Sequence, residues 1–273
     1  GGRCLIEVRH PGHPGEDAAT GASRVSYRAA PARALKRPSC PFGQIPGVTV
    51  EAQEHQGKSL RYITVEPDGF DPQRAYPLIV LLHGFGANMQ DLAALSPGIE
   101  PKSYVYVYPN APIEMQIGYG TTGYAWTPPA QDGPSDDGDR AESMIATLVK
   151  EVTDRYRVAP GRTVLGGFSQ GGMMTYRLGL PNPELFGGLA VLSGSVRDRD
   201  QLRDRLPADR SQPIFISHGT DDAMISVEDA RESRSFLCDE GYAPEYREYP
   251  MGHEISQDVV QDLKLWLLHV LPP

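Results

Sequence analysis

The chain has 273 residues, of which 40% are hydrophobic and 22% charged, with a formal net charge of −9. That length and balance fit one domain with a substantial buried core, and no nucleic-acid partner is expected, because the basic N-terminal stretch has no aromatic interleaving and follows no binding motif. There is no apolar run of about 18 residues or more, so no helix is expected to insert stably in a membrane. Cys4, Cys40 and Cys238 show neither metal-ligand spacing nor an even-numbered disulfide framework. A reducing, cytoplasmic setting is the simpler expectation, with a Cys4 to Cys40 bridge as the alternative.

In chain order, residues 1–41 come first and differ chemically from the rest. The first 40 residues carry seven Lys or Arg against three Asp or Glu. They are rich in Ala, Arg, Gly and Pro and lack the apolar core of about 7 to 15 residues that a signal peptide needs. They are expected to form a poorly ordered extension, a solvated linker without a binding motif, and the folded unit is expected over 42–273, starting near Phe42. From there the pattern alternates strand and helix, as a doubly wound, mostly parallel sheet covered on both faces requires. Strands are predicted over 59–66, 77–82, 104–108, 162–166, 188–192, 213–217 and 245–249. Helices are predicted over 91–95, 139–156, 171–178, 227–240 and 256–270.

The strand over 77–82 ends in His83-Gly84-Phe85-Gly86-Ala87, a glycine-rich turn able to point a backbone N–H at a developing oxyanion, with Phe85 the expected donor. His83 is expected to brace that loop by hydrogen bonding. Residues 111–138 read as a long loop in which Met115, Ile117, Tyr119, Tyr124 and Trp126 lie among glycines, prolines and an acidic run. Such a composition offers one wall of an acyl or alcohol pocket. No large insertion follows residue 169, so a bulky cap is not expected and the site should be open and shallow.

The strand over 162–166 runs into Gly167-Phe168-Ser169-Gln170-Gly171, the Gly-x-Ser-x-Gly turn that presents a nucleophilic serine between a strand and a helix. Glycine is required two residues to either side of the serine because the sharp turn leaves no room for side chains there. The following helix aims its N-terminal amides at the serine oxygen, and the Gln170 N–H is the first expected oxyanion donor.

A serine needs a base, and the base needs a carboxylate that fixes its tautomer. In this class of elbow the order is Ser, then Asp or Glu, then His. His10, His13, His55 and His83 precede Ser169, His218 precedes any convincing acid, and His269 lies inside the final helix, which leaves His253. The acid is expected in the loop after the strand over 213–217, where Asp221 and Asp222 are adjacent. Neighbouring residues of an extended loop point in different directions, so spacing alone does not choose between them. The pair also reads as a turn leading to a helix cap at Ser226.

Several separated segments then agree: Leu82-His83-Gly84-Phe85-Gly86, Tyr108-Pro109-Asn110-Ala111-Pro112, Trp126, Gly167 to Gly172, Leu192-Ser193-Gly194, His218-Gly219-Thr220-Asp221-Asp222 and Gly252-His253. On these the chain resembles an α/β-hydrolase of the carboxylesterase and phospholipase type, the group that includes acyl-protein thioesterases and small bacterial esterases. The resemblance runs from about residue 45 to the end. It implies an α/β-hydrolase fold, Ser169 as nucleophile, His253 as base, Asp222 as the acid, and the amides of Phe85 and Gln170 as the oxyanion hole. Trp126, Tyr124 and Met224 are expected to line the substrate pocket. Two departures bear on acyl preference. The stretch after the acid reads Ala223-Met224-Ile225-Ser226, without the usual apolar or proline-containing sequence, and Asn88-Met89-Gln90-Asp91-Leu92 replaces the usual tryptophan after the oxyanion loop.

The expected activity is hydrolysis of short to medium acyl carboxylic esters through an acyl-enzyme, with thioesterase or lysophospholipase activity as the alternative. Other acyl chemistry, such as peptide cleavage or perhydrolysis, keeps the same triad and depends on pocket shape. A catalytically silent, ligand-binding use of the fold is the rival from a different class. No metal or organic cofactor is called for, the partner is a small ester, and the chain is expected as a monomer or homodimer.

Overall fold

Runs of Val, Ile, Leu and Tyr that are buried on both sides build the middle of one eight-stranded sheet, as parallel strands covered by helices require. The computed structural model describes residues 51–118, 120–129 and 136–273. The expectations for the basic extension, for the start of the folded unit, for a Cys4 to Cys40 bridge, for Tyr119 and for residues 130–135 therefore lie outside the described residues.

The strands are β1 (Glu51–Gln56), β2 (Arg61–Glu66), β3 (Leu78–Leu82), β4 (Val105–Pro109), β5 (Ile113–Gln116), β6 (Thr122–Ala125), β7 (Thr163–Phe168), β8 (Gly188–Leu192), β9 (Ile214–Gly219) and β10 (Glu245–Tyr249). The main sheet has the order β1-β2-β4-β3-β7-β8-β9-β10. β1 and β2 are antiparallel, β2 is antiparallel to β4, and the six strands from β4 to β10 are parallel. The chain thus reverses its direction of travel across the sheet between β3 and β7, and a crevice forms at such a switch point beyond the carboxyl ends of the strands.

The helices are α1 (Ser96–Ile99), α2 (Asp137–Tyr156), α3 (Gln170–Gly179), α4 (Arg199–Arg203), α5 (Val227–Asp239) and α6 (Gln257–Val270). Successive strand residues point to opposite faces. Leu78, Val80, Leu82, Leu165 and Val191 therefore pack with Ile145 and Leu148 of α2, Met174 of α3 and Phe236 of α5. Ile79, Leu81, Val164 and Leu192 pack on the other face with Ile99 of α1 and Val259, Leu263 and Trp266 of α6. Local signals fix the helix starts. The Ser226 hydroxyl accepts from the Asp229 N–H in a reciprocal capping box at α5, and the Ser256 hydroxyl accepts from the Val259 N–H at α6. No helix among the described residues is long and apolar enough to cross a membrane, and none forms a large cap over the sheet.

Four features differ from the sequence reading, one of them the short helix α4, where no helix was expected. The expected helix over 91–95 is a 3-10 turn at Ala93–Leu95 followed by the single turn α1, with Pro97 in its first turn. Residues 111–138 are not loop throughout, because β5 and β6 pair as an antiparallel hairpin whose turn uses positive φ at Gly118 and Gly120. β1 is an added strand whose residues are polar apart from Ala52, held to β2 by a six-residue register.

Candidate active site

At the end of β7 the backbone of Ser169 takes φ 55°, ψ −118°, and α3 begins at the next residue. A non-glycine residue there stores about 1–3 kcal/mol, which the surrounding strand and helix must hold in place. The flanking glycines are what make the turn fit. A Cβ on Gly167 would stand 2.4 Å from the carbonyl of Gly171, and a Cβ on Gly171 would stand 2.1 Å from the carbonyl oxygen of Leu82 in β3. Both approaches fall far inside van der Waals contact with backbone atoms, so glycine is the residue that fits.

The turn lifts Ser169 to His253. The imidazole Nε2 lies 2.9 Å from the Ser169 Oγ, and Nδ1 lies 2.7 Å from Asp222 Oδ2. Of the adjacent aspartates, Asp222 is buried and Asp221 is exposed, and only Asp222 reaches the histidine. Its other oxygen, Oδ1, accepts from the backbone N–H groups of Met224 at 2.8 Å and Ile225 at 3.0 Å, so the carboxylate is held in place by a local turn. The loop carrying His253 is drawn close by the Thr220 N–H, which donates to the Tyr249 carbonyl, and by the Asp221 N–H, which donates to the Met251 carbonyl. The Phe168 ring packs against the imidazole with centroids 4.8 Å apart.

His218, set aside above as a base, holds the acid loop instead. It is fully buried, its Nε2–H donates to the Ile225 carbonyl at 2.9 Å, and the same nitrogen lies 3.4 Å from Asp222 Oδ2. The sequence offered one signal for this, the His-Gly pair just before the acid. The backbone donors of Met224 and Ile225 left no signal of their own.

The loop after β3 lies beside the elbow because β3 pairs with β7, Leu82 opposite Gly167. The Gly86 N–H donates to the Tyr124 carbonyl and the Ala87 N–H to the Gly84 carbonyl, so the turn uses the amides on the far side of Phe85. The Gln170 N–H is at the first residue of α3, where no helical carbonyl can take it. His83 is buried. Its Nδ1–H donates to the Gly84 carbonyl at 2.8 Å and its Nε2 accepts from the Ala111 N–H at 3.1 Å. Burial holds its pKa below the ordinary histidine value, so the ring is neutral and serves as a brace.

Of the expected pocket residues, Trp126 is corrected. Its side chain is 0% exposed, beneath the surface, with its indole N–H bonded to the His83 carbonyl, so it lines no opening. Tyr124 is half-buried in β6, and Met224 is 72% exposed next to Asp222. A cavity of about 690 Å³ opens beside Gln170, with Met173, Met174 and Leu202 in its lining. The 111–138 stretch contributes Thr127, Pro128 and Pro129 to its wall. Arg177 and Arg205 at its rim are ion-paired with Asp139 and Glu142. Among the described residues no group of three His, Cys, Asp or Glu side chains is placed to hold a metal ion.

Residues 70–271 match the sequence model of the Phospholipase/Carboxylesterase family. A probable carboxylesterase of Oryza sativa is 31% identical over 169 residues, 58% of this chain and 62% of that protein. Acyl-protein thioesterase 1 of Aspergillus fumigatus is 26% identical over 213 residues, 71% of this chain and 88% of that protein. Among solved structures, that of Arabidopsis thaliana SOBER1 aligns with a TM-score of 0.63 and 26% identity, covering 72% of this chain and all of that one.

Proposed function

Because the chain belongs to the phospholipase/carboxylesterase family of α/β-hydrolase-fold enzymes and is a hydrolase of ester bonds, we propose that it is a serine carboxylesterase of short to medium acyl esters, working through Ser169, His253 and Asp222. One observation carries this reading: the unbroken hydrogen-bonded line from the Ser169 hydroxyl through the His253 imidazole to the Asp222 carboxylate, at 2.9 and 2.7 Å.

In the first half-reaction the Ser169 oxygen attacks the ester carbonyl while its proton passes to His253 Nε2. The carbonyl electron pair moves onto oxygen, and that oxyanion takes the N–H groups of Phe85 and Gln170. Asp222 keeps the proton on Nδ1 and faces the imidazolium that forms. The tetrahedral adduct collapses, the C–O bond to the alcohol breaks, and His253 returns the proton to the departing alkoxide. Water then repeats the sequence on the acyl-enzyme, giving the free acid and restoring Ser169.

The cavity beside Gln170 supports a neutral substrate. Met173, Met174 and Leu202 give part of its lining an apolar character, and two of its lining arginines already face carboxylates, so they offer little to an anionic group. Similarity to acyl-protein thioesterase 1 favours thioester cleavage as the second reading. The experiment is hydrolysis of p-nitrophenyl esters from acetate to palmitate beside a matched thioester, with Ser169→Ala run in parallel. Serine-dependent turnover greatest at short chains is the expected result. A thioester or long-chain optimum replaces the substrate class, and more than a few per cent of activity left in Ser169→Ala overturns the nucleophile. No turnover on any of them favours a silent binding module.

A further inference from the structure

The two amides assigned above to the oxyanion come from different strands, Phe85 after β3 and Gln170 after β7, so their spacing depends on whatever joins the two loops. Sheet pairing sets it only as far as Leu82 and Gly167. Beyond that point one buried residue is bonded to both sides. The backbone N–H of Trp126 donates to the side-chain Oε1 of Gln170 at 2.8 Å, and its indole N–H donates to the carbonyl of His83 at 2.8 Å.

Each end of this link is itself anchored. The Gln170 Nε2 donates to both the carbonyl and the hydroxyl of Thr127, at 2.9 Å each, so the carboxamide has no freedom to turn. On the other side His83 is pinned by its two ring nitrogens to Gly84 and Ala111. The strand leading to Trp126 is bonded to the same loop, since the Gly86 N–H donates to the Tyr124 carbonyl at 2.9 Å and the Tyr124 N–H to the Ala87 carbonyl at 2.8 Å. A Cβ on Gly123 would stand 2.2 Å from the Gly86 carbonyl oxygen, which shows how tightly β6 lies against the oxyanion loop.

We propose that Trp126 is a positioning residue for the reaction: together with the Gln170 side chain it sets the separation of the Phe85 and Gln170 amides, and so the shape of the oxyanion hole. A purely structural tryptophan would need one acceptor for its indole N–H, and any buried carbonyl would serve. Here the acceptor belongs to the loop carrying one donor, while the same residue's main-chain N–H holds the side chain of the other. Donors fixed in a dry environment before the reaction stabilise developing charge without reorganising, and a displacement of about 1 Å is enough to lose much of that.

The inference rests on the proposed roles of Phe85 and Gln170, and the experiment separates the two. Trp126→Phe keeps most of the packing and the backbone N–H but removes the bond to His83. Gln170→Met keeps the amide of residue 170 and removes the side-chain bonds to Trp126 and Thr127. In the full chain, kcat and KM would be measured on p-nitrophenyl butyrate, and inhibition by an alkyl trifluoromethyl ketone, whose adduct with serine places an oxyanion in the hole. Well below the melting temperature, kcat is expected to fall about tenfold in each variant with KM within about twofold, and ketone affinity to weaken by the same factor as kcat/KM.

A lowered melting temperature with kcat and ketone affinity unchanged in both variants overturns the positioning role, as does a loss of kcat without weaker ketone binding. If Trp126→Phe does not fold, Gln170→Met decides by the same criteria. Wild-type turnover that survives Ser169→Ala brings down the active-site assignment itself. Serine-dependent turnover with unperturbed variants brings down only the inference.

Discussion

Replacing Gly171 by alanine should damage the protein in a way that its small size does not suggest. The added Cβ would lie 2.1 Å from the Leu82 carbonyl oxygen, 2.5 Å from its carbon and 2.7 Å from the His83 carbonyl oxygen. Ordinary contact needs about 3.5 Å, so either α3 or the end of β3 must move by about 1 Å. None of these atoms belongs to a flexible side chain, and overpacking of this kind costs about 1–3 kcal/mol or more. The shift falls on the residues that lead into the loop of Phe85, so activity should suffer beyond stability. Turnover of p-nitrophenyl butyrate is expected to fall about 100-fold at a temperature where the variant is still folded by circular dichroism. Gly69→Ala is the control. Gly69 has φ +69° with nothing within 4 Å of an added Cβ, so the change should destabilise by about 1 kcal/mol through backbone strain and leave kcat alone. Normal kcat and stability in Gly171→Ala would refute the claim that this close approach sets the geometry of the site.

Asp222→Asn keeps an oxygen for the Met224 and Ile225 amides but turns a donor towards His253, favouring the wrong tautomer, so kcat should drop by about 10⁴ with little change in KM. Asp221→Asn, at the exposed neighbour, should remain within about threefold of wild type, and comparable losses in both variants would contradict the geometry. Glu248 accepts from the Arg231 guanidinium at 2.8 and 2.7 Å and from the Tyr246 hydroxyl at 2.8 Å, which brings its pKa down to about 2. A carboxylate with a depressed folded pKa stabilises the fold above its unfolded value of about 4.3, and that contribution is lost as pH falls from there to about 2. Glu248→Gln should therefore melt about 2 °C lower than wild type at pH 7, a small effect because the pair is partly exposed to solvent. The two curves should meet near pH 2, and a gap of the same size at both pH values would exclude this linkage.

What could be read in the sequence were features whose cause is local. The Gly-x-Ser-x-Gly turn is written in five consecutive residues because the steric conflict is between those residues and the next strand. The central strands are legible because burial on both faces demands continuous apolar runs such as Leu78 to Leu82. β1 carries no such mark: Glu51 to Gln56 are all polar or small, and only pairing with β2 makes them a strand. The β5–β6 hairpin was hidden by glycines and prolines that read equally well as loop. Trp126 shows the same limit in a side chain. Its aromatic surface indicates burial or ligand contact, and the choice was made by His83 and Gln170, each more than 40 positions away in the chain. The role of the Gln170 carboxamide was invisible for the same reason.

The pairing of Leu82 with Gly167 also has a bearing on how the protein acquires its activity. The two strands that carry the candidate oxyanion donors meet only after the chain between them, including all of α2, has been gathered up. Closing so long a loop is entropically unfavourable until the contacts that follow it are made, and non-local strand pairing of this kind is slow. No fragment ending before β7 can contain the site, and helices can form early without creating any part of it. Recovery of turnover during refolding should therefore report the closure of the central sheet and lag behind the return of helical signal.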